Sequence, residues 1–303
     1  MSFKVTILGS GAALPTAQKN PTSQYIECQN RHILIDCGEG SQMQMRKFGV
    51  KLQKISHILI SHLHGDHYFG LVGLLSTMHL LGRDKGIHIY GPKELEQIIR
   101  LQLEIAGNKI GFSLEFHHIK KNQTGLLFED KCIEIHTFPL KHKIQTNGFL
   151  IKEKEKELTL DSERFYSDKL SIQFIQYFKK GQNVTDENGS TYFYKDYTFK
   201  AMPTKSYAFC SDTAYNENII TSIKNSDVLY HEATFTEKEL DRAKVTLHST
   251  AKQAATIALK ANVGKLLMGH LSARFKNDKQ HLIEAKKVFE NSFVVDDGDE
   301  FII

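Results

Sequence analysis

The chain has 303 residues, a length that allows one or two domains with a substantial buried core. Hydrophobic residues make up 41% of the sequence and charged residues 24%, which excludes a disordered or fibrous chain. No apolar run approaches the roughly 18 residues of a membrane-spanning helix, so we predict no membrane partner. The formal net charge of +4 is mildly basic, which is compatible with a nucleic-acid partner but does not require one.

The compartment is predicted from the first residues and from the cysteines. Met1 to Val5 enter a strand pattern at once, without the architecture of a signal peptide. Cys28, Cys37, Cys132 and Cys210 have no paired spacing and lie in apolar, strand-like contexts, which is typical of buried free thiols. We therefore expect a cytoplasmic protein.

Strand and helix patterns alternate along most of the chain. The predicted strands are 3–8, 24–28, 32–36, 55–60, 87–90, 113–119, 126–128, 133–138, 148–151, 206–210, 227–230 and 265–268, with two short strands at the end. The predicted helices are 41–48, 69–81, 92–106, one that starts at Ser249 with Ser249 or Thr250 as its cap, and about 279–290. Such alternation favours a layered α/β fold over a bundle or a β-sandwich.

The middle of the chain departs from this alternation. An alternating Lys/Glu run begins at Lys152, and taken alone it indicates a solvated face or linker. The residues that follow are rich in Lys, Tyr and Phe, and Asp186-Glu187-Asn188-Gly189 is a hairpin signal. We predict a single domain over residues 1–303, with residues 153–200 as an insertion that projects from it.

Metal-ligand residues are concentrated between the predicted strand 55–60 and the predicted helix 69–81. His62, His64, Asp66 and His67 fall within six positions, and imidazole with carboxylate suits zinc and its borderline neighbours. His62 and His64 are two residues apart, so in an extended segment they point the same way. Gly65 allows a sharp bend that directs Asp66 and His67 elsewhere. One loop can therefore supply ligands to two adjacent metal ions.

Three further candidate ligands follow predicted strands: His142, Asp212 and His270. Open α/β sheets place their ligand sites at the carboxyl ends of strands. A lone histidine after a strand is more often structural, but three such residues beside a ligand loop favour a metal centre.

The His-x-His-x-Asp-His pattern resembles the signature of the metallo-β-lactamase fold, which implies a metal hydrolase. We assign the ligands to two zinc ions, with His62, His64 and His142 on the first, Asp66, His67 and His270 on the second, and Asp212 bridging both. Paired metal ions about 3.5–4 Å apart stabilise the attacking and leaving oxygens of a phosphoryl displacement. Upstream, Asp36 either orders the ligand loop or caps the helix 41–48, and both interpretations remain open.

Four later motifs narrow the resemblance. They are Ser211-Asp212-Thr213, His231-Glu232-Ala233-Thr234, His248-Ser249-Thr250 and His270-Leu271-Ser272-Ala273-Arg274-Phe275. In this order they resemble the ribonuclease Z family of tRNA 3′-processing endonucleases, and the match runs from about Phe3 to the C-terminus. The resemblance implies a four-layer αβ/βα sandwich with an inserted flexible arm, usually as a homodimer. It also implies a zinc-dependent endoribonuclease, with two zinc ions per chain, that cleaves the 3′ trailer from precursor tRNA and leaves a 3′-hydroxyl.

The resemblance also suggests roles for individual residues. Asp66 is both a ligand and the general base, His248 is an acid for the leaving 3′-oxygen, and Glu232 orients His248 or forms a structural hydrogen bond. Arg274 either pairs with a phosphate or forms a salt bridge. In the inserted segment, Lys179 and Lys180 would bind tRNA.

The insertion occupies the position of the family's arm but lacks the Gly-Pro-rich tip, since no proline lies between Pro139 and Pro203. Two rival functions remain. One is a two-zinc phosphodiesterase of the same fold that acts on a small or cyclic phosphodiester, and the other is a non-catalytic RNA-binding relative. The complete ligand set argues against the second.

Overall fold

The computed structural model describes residues 3–107 and 109–303, so Met1 and Ser2 of the predicted opening strand pattern lie outside the described residues. The strands are β1 (Phe3–Gly9), β2 (Gly11–Ala12), β3 (Ser23–Cys28), β4 (Arg31–Cys37), β5 (His57–Leu59), β6 (Ile87–Gly91), β7 (Leu114–His118), β8 (Gly125–Glu129), β9 (Ile133–Leu140), β10 (Thr146–Glu153), β11 (Thr159–Leu160), β12 (Val184–Thr185), β13 (Thr191–Tyr192), β14 (Thr198–Phe199), β15 (Ser206–Cys210), β16 (Val228–Glu232), β17 (Lys265–Gly269), β18 (Leu271–Ser272), β19 (Ser292–Val294) and β20 (Glu300–Ile302). The α-helices are α1 (Ser41–Lys47), α2 (Gly65–Tyr68), α3 (Leu71–Leu80), α4 (Lys93–Ile105), α5 (Ser162–Ser167), α6 (Ile175–Lys179), α7 (Ile220–Ile223), α8 (Leu240–Thr246), α9 (Ala251–Lys260) and α10 (Lys279–Lys286).

Two seven-stranded sheets form the body of the chain. The first has the order β20-β1-β3-β4-β5-β6-β7 and the second the order β19-β17-β16-β15-β10-β9-β8. Strands β4 to β7 pair in parallel, as do β15, β16, β17 and β19. The carboxyl ends of parallel neighbours meet at one edge of a sheet, so the loops that follow them converge there.

Apolar side chains fill the space between the sheets and cover both outer faces. The inner layer contains Ile33 and Leu59 from the first sheet and Phe149 and Phe209 from the second, all fully buried. Helices α1, α3 and α4 pack on the outer face of the first sheet, and α7, α9 and α10 pack on that of the second. Successive side chains of a strand point to opposite faces, and both faces of each sheet are covered, so the chain forms four layers. The predicted α/β sandwich is confirmed.

Residues Glu153–Thr204 form a second compact unit, and the rest of the chain, through Lys152 and again over Lys205–Ile303, forms the first. The predicted insertion was residues 153–200, so the unit extends four residues further. It has an apolar core of its own around Phe165, Phe178 and Tyr197. The predicted hairpin turn forms between β12 and β13, where the Asp186 side chain accepts hydrogen bonds from two backbone N–H groups of the turn.

Several element boundaries differ from the predictions. The predicted helix 69–81 is two helices, because a single turn, α2, forms inside the ligand loop before α3 begins. Of the two predicted caps for α9, Thr250 is the one used, in a reciprocal capping box with Gln253. Pro92 precedes α4 as its cap and does not lie in its first turn, and α10 ends at Lys286, short of the predicted residue 290.

The four cysteines form no disulfide, as predicted, with Cys28, Cys37 and Cys210 buried and Cys132 half-buried. Among the described residues, no helix combines the length and the apolar composition needed to cross a bilayer.

Candidate metal centre and active site

The ligand loop between β5 and α2 is held by one buried carboxylate. Ser61 donates to Asp36 through its backbone N–H at 2.7 Å and through its hydroxyl at 2.8 Å, and His67 Nδ1 donates to Asp36 Oδ2 at 2.7 Å. The residue before α1 is Gly40, and no side chain caps that helix. Asp36 therefore orders the ligand loop and does not cap the helix. Its φ of +54° is in the left-handed region, a conformation that costs free energy and often occurs at functional sites.

Gly65 has a different role from the one predicted. It lies in α2 with an ordinary backbone conformation, so the chain does not need a positive φ there. Instead, a Cβ at this position would lie 2.1 Å from the ring of Phe69, which packs against the backbone. The helical turn, and not a free bend, places Asp66 and His67, whose ring lies 4.1 Å from that of His62 between centroids.

The first group of ligand atoms comprises His62 Nε2, His64 Nδ1, His142 Nε2 and Asp212 Oδ2. His64 Nδ1 lies 3.0 Å from the His62 nitrogen and 3.3 Å from the His142 nitrogen. Asp212 Oδ2 lies 3.6 Å and 3.7 Å from those same two nitrogens. Zinc bonds of about 2.0–2.1 Å in a tetrahedron imply ligand-to-ligand distances of about 3.3 Å. The four atoms are thus spaced as ligands of one ion.

The second group comprises Asp66 Oδ2, His67 Nε2 and His270 Nε2, joined by Asp212 Oδ1. Asp66 Oδ2 lies 3.3 Å from the His67 nitrogen and 3.5 Å from the His270 nitrogen. Asp212 Oδ1 lies 3.5 Å and 3.1 Å from the same nitrogens. Both nitrogens are buried and have no hydrogen-bond partner among the described residues. Buried polar atoms are normally paired, so a cation between these atoms would satisfy both. The residues therefore fit a metal pair bridged by Asp212.

In four of the five histidine ligands the protein also holds the other ring nitrogen, and for His67 that partner is Asp36. His62 Nδ1 lies 3.0 Å from the Ser61 hydroxyl, and His142 Nδ1 donates to the carbonyl of Leu247 at 2.9 Å. His270 Nδ1 lies 3.1 Å from Thr234 Oγ1. A hydrogen bond from Nδ1 fixes the tautomer that leaves Nε2 with a free lone pair for a metal.

The charges of the centre match this assignment. Burial lowers the pKa of His62 well below its usual value, so its ring is neutral and able to coordinate. Burial raises the pKa of Asp212, but the neighbouring charge of His270 and other histidines outweighs burial and holds that pKa well below its usual range. Asp66 behaves similarly, with His67 as the main opposing charge. Burial lowers the pKa of His67, but the charges of Asp212, Asp36 and Asp66 outweigh burial and raise that pKa well above its usual value. The centre therefore draws positive charge, which is an environment that attracts cations.

His248 and Glu232 form a hydrogen-bonded pair beside the metal centre. His248 Nδ1 donates to Glu232 Oε1 at 2.8 Å, and His248 Nε2 lies 4.0 Å from Asp212 Oδ2. Burial lowers the pKa of His248, but the charge of Glu232 and its hydrogen bond outweigh burial and raise it to about 9. Glu232 is fully buried and also accepts from the backbone N–H groups of Thr213 and Thr234 and from the Thr234 hydroxyl. Glu232 thus both orients His248 and braces its own loop.

His231, next to Glu232 on β16, is buried and donates from Nδ1 to the Glu232 carbonyl at 2.7 Å. His248 also lies within ligand range of Asp212 and His270. Its distance of 4.0 Å from Asp212 Oδ2 exceeds the roughly 3.3 Å of a tetrahedral site, so we leave it outside the ligand set.

A cavity of about 670 Å³ opens over the metal centre and is lined by ligands, by His248 and by three basic side chains. The basic residues are Lys143, Arg242 and Arg274. Arg274 donates to Ser272 Oγ at 3.1 Å and lies over the ring of Phe235, and no described carboxylate pairs with it. The salt-bridge alternative for Arg274 is therefore wrong. Sequence reasoning missed Lys143, although it follows ligand His142, and Arg242, whose sequence context carries no signal.

Lys179 and Lys180 belong to the second compact unit and not to the metal centre. Lys179 ends α6, and Gly181 follows at a φ of +73° with its N–H bonded to the carbonyl of Phe178. This glycine-terminated helix end presents Lys180 to solvent and leaves Lys179 half-buried.

The fold and the site together define a metal-dependent hydrolase of the metallo-β-lactamase fold. Human tRNase Z, short form, superposes with a TM-score of 0.72 at 26% identity and covers 98% of both chains. The metallo-β-lactamase fold protein YhfI of Bacillus subtilis superposes with a TM-score of 0.70 at 20% identity and covers 100% of both chains, a likeness of fold alone.

Sequence comparison identifies the family. A family model described as "Anti-Pycsar protein Apyc1" matches residues 3–200. Ribonuclease Z of Parabacteroides distasonis is 41% identical over 98% of this chain and 97% of its own length, and ribonuclease Z of Cytophaga hutchinsonii is 41% identical over 100% and 97%. The chain therefore belongs to the ribonuclease Z family, and its residues 3–200 also belong to the family that the model describes. It is a metal-dependent endoribonuclease that hydrolyses phosphodiester bonds.

Proposed function

We propose that this chain cleaves the 3′ trailer from precursor tRNA and leaves a 3′-hydroxyl on the tRNA, with two zinc ions in the Asp212-bridged centre. The observation that carries the proposal is the arrangement of seven ligand residues in two groups that share Asp212, beside the His248–Glu232 pair. The ribonuclease Z relatives and the likeness to human tRNase Z support the same substrate.

When bound, the two zinc ions would activate a water molecule and stabilise charge on the attacking and leaving oxygens. The chain's own residues move the protons. We assign Asp66 as the general base from its position, because it lines the cavity and is the more exposed of the two ligand carboxylates. An ionised carboxylate at the edge of the cavity can accept a proton from the attacking water.

His248 would then act as the general acid that gives its proton to the leaving 3′-oxygen. Its Nδ1 is committed to Glu232, so Nε2 is the nitrogen that faces the metal centre and the cavity. A pKa of about 9 keeps the imidazole protonated at neutral pH, as a proton donor requires. Glu232 is the positioning residue, since it fixes the ring orientation and stabilises the charge.

The basic residues of the cavity would hold the RNA backbone next to the scissile bond. Arg274, Lys143 and Arg242 line the cavity that contains Asp66 and His248. Arginine can donate two parallel hydrogen bonds to a phosphate, which fixes both its position and its orientation. These contacts favour a polynucleotide over a small uncharged substrate.

We further propose one catalytic domain with the Glu153–Thr204 unit as a tRNA-binding arm. The unit contains nine acidic and eight basic residues, so its overall charge does not attract RNA. Attraction must instead come from local features such as exposed Lys180, half-buried Lys179 and exposed Tyr177 on and after α6. Lysines neutralise phosphates and an exposed aromatic ring can stack on a base.

We also propose that the chain forms a homodimer and lies in the cytoplasm. Helices α1 and α3 and the end of α2 expose large apolar side chains, with Met43 67% exposed, Phe69 64% and Leu80 82%. Exposed apolar groups of this size on neighbouring elements are typical of protein interfaces. Four cysteines without a disulfide among the described residues support a reducing compartment.

The test is to incubate the purified protein with a 3′-extended precursor tRNA and to map both ends at the cut. We expect cleavage at the trailer boundary with a 3′-hydroxyl on the tRNA. Bis(p-nitrophenyl) phosphate and a cyclic nucleotide serve as parallel substrates. Rapid hydrolysis of either small diester, with the precursor tRNA left intact, would refute the proposal and favour the small-phosphodiester alternative.

A further inference from the structure

A second cluster of metal-ligand side chains lies on the first sheet and shares no residue with the centre described above. His88 on β6 pairs in register with Glu115 on β7, and His117 follows two residues later. Residues in register on neighbouring strands, and residues two apart on one strand, point to the same face of a sheet. His88, Glu115 and His117 therefore face one another across β6 and β7.

The ligand atoms of this cluster converge closely. His88 Nδ1 lies 3.1 Å from His117 Nε2 and 3.3 Å from Glu115 Oε2, and the three atoms all lie within 4.8 Å of one another. These distances match the roughly 3.3 Å edge of a tetrahedral zinc site. A single proton on His88 Nδ1 can satisfy only one of its two neighbours, whereas a cation at the centre would satisfy all three.

Aromatic rings pack against both histidines of the cluster. The ring of His57, on β5, stacks on His88 with 5.1 Å between centroids. The ring of Tyr90 stacks on His117 with 4.4 Å between centroids. This stacking helps to hold the two rings in place, and the Glu115 carboxylate adds an oxygen ligand beside their nitrogens.

We propose that His88, Glu115 and His117 bind one divalent cation of the zinc class, with water completing the coordination. The ion would be structural, because it would join β7, the last strand of the first sheet, to β6. An edge strand has a neighbour on one side only, so a metal link across it adds stability where the sheet is weakest. Two nitrogen ligands and one carboxylate suit zinc more than magnesium or calcium.

The test compares zinc binding by the full chain and by variants of this cluster. Protein that already holds its active-site metal is titrated with Zn²⁺, and bound metal and thermal unfolding are measured together. We expect the wild type to bind one more ion per chain than Glu115→Gln or His117→Ala, and zinc to raise its Tm. In the variants the affinity for that ion should fall at least tenfold, while precursor-tRNA cleavage and the remaining metal content stay unchanged.

His136→Ala is the matched control, because His136 pairs with Glu134 at 2.9 Å on β9 and is exposed to a similar degree as His88. Equal zinc content in the wild type and Glu115→Gln would overturn the proposal, as would loss of the same ion in His136→Ala. Glu115→Gln preserves side-chain shape, so circular dichroism separates metal loss from unfolding. The readout is a difference between variants, so it does not depend on the number of ions in the active site.

Discussion

The substitution His248→Ala tests whether the pair beside the metal centre performs chemistry or only supports the fold. It removes the proposed proton donor but none of the seven assigned ligands. Glu232 would keep three of its four hydrogen bonds, those from Thr213 N–H, Thr234 N–H and the Thr234 hydroxyl. The buried carboxylate therefore stays largely satisfied, and we expect the variant to fold.

The expected effect on rate follows from the role of a general acid. Loss of a positioned proton donor slows a reaction by roughly 10²–10⁴-fold, and we expect a decrease of that size in cleavage. The rise of the His248 pKa from 6.5 to about 9 corresponds to about 3 kcal/mol of net favourable interaction with the charged ring. This interaction is fully present below pH about 6.5 and is lost as pH rises through about 9.

The assay is single-turnover cleavage of a precursor tRNA at saturating enzyme, with metal content and tRNA affinity measured on the same preparation. Glu232→Gln is the matched variant, because it keeps the shape but removes the charge that raises the pKa of His248. We expect the wild-type rate to decline with rising pH at or below pH about 9, because the positive charge of bound cations lowers the pKa of His248. In Glu232→Gln the same decline should occur at a still lower pH. A His248→Ala rate within threefold of wild type, or a variant that loses one metal ion, would refute the reasoning and make His248 structural or a ligand.

Three further predictions concern the metals, their support and the arm. His64→Ala and His270→Ala each remove one ligand of a different ion, so both should lower the zinc content from about two ions per chain and lower activity in parallel. Fully active enzyme with one ion or none would contradict the ligand assignment. Thr234→Val removes the oxygen that holds His270 Nδ1 and should weaken binding of one zinc by about 10–100-fold, measured by competition with a chelator, whereas Thr234→Ser should restore it. Replacing residues 154–204 with a short Gly/Ser turn should weaken precursor-tRNA binding and flatten the salt dependence of that binding, while hydrolysis of bis(p-nitrophenyl) phosphate persists. Unchanged tRNA processing would show that the unit is not a binding arm.

The fold and the metal ligands could be predicted from the sequence because both depend on local patterns. The short, almost wholly buried runs that form β15 and β17, and the periodic alanine face of α9, are signals that can be seen in the sequence without knowledge of distant contacts. His62, His64, Asp66 and His67 are neighbours in the chain, so their density alone indicates a metal site. Asp212, His142 and His270 follow strands, and the rule that strand ends converge was enough to include them.

Only the tertiary structure decided which atoms of those residues meet and what holds them. That His64 offers Nδ1 while His62 and His142 offer Nε2 depends on partners far away in the chain, such as the carbonyl of Leu247, which lies 105 residues from His142. The same holds for the choice between two roles of Asp36, since its bonds to Ser61 and His67 form only when β4 and β5 pair. Hydrogen bonds and cavity walls depend on side-chain positions in three dimensions, and a one-dimensional spacing does not contain them.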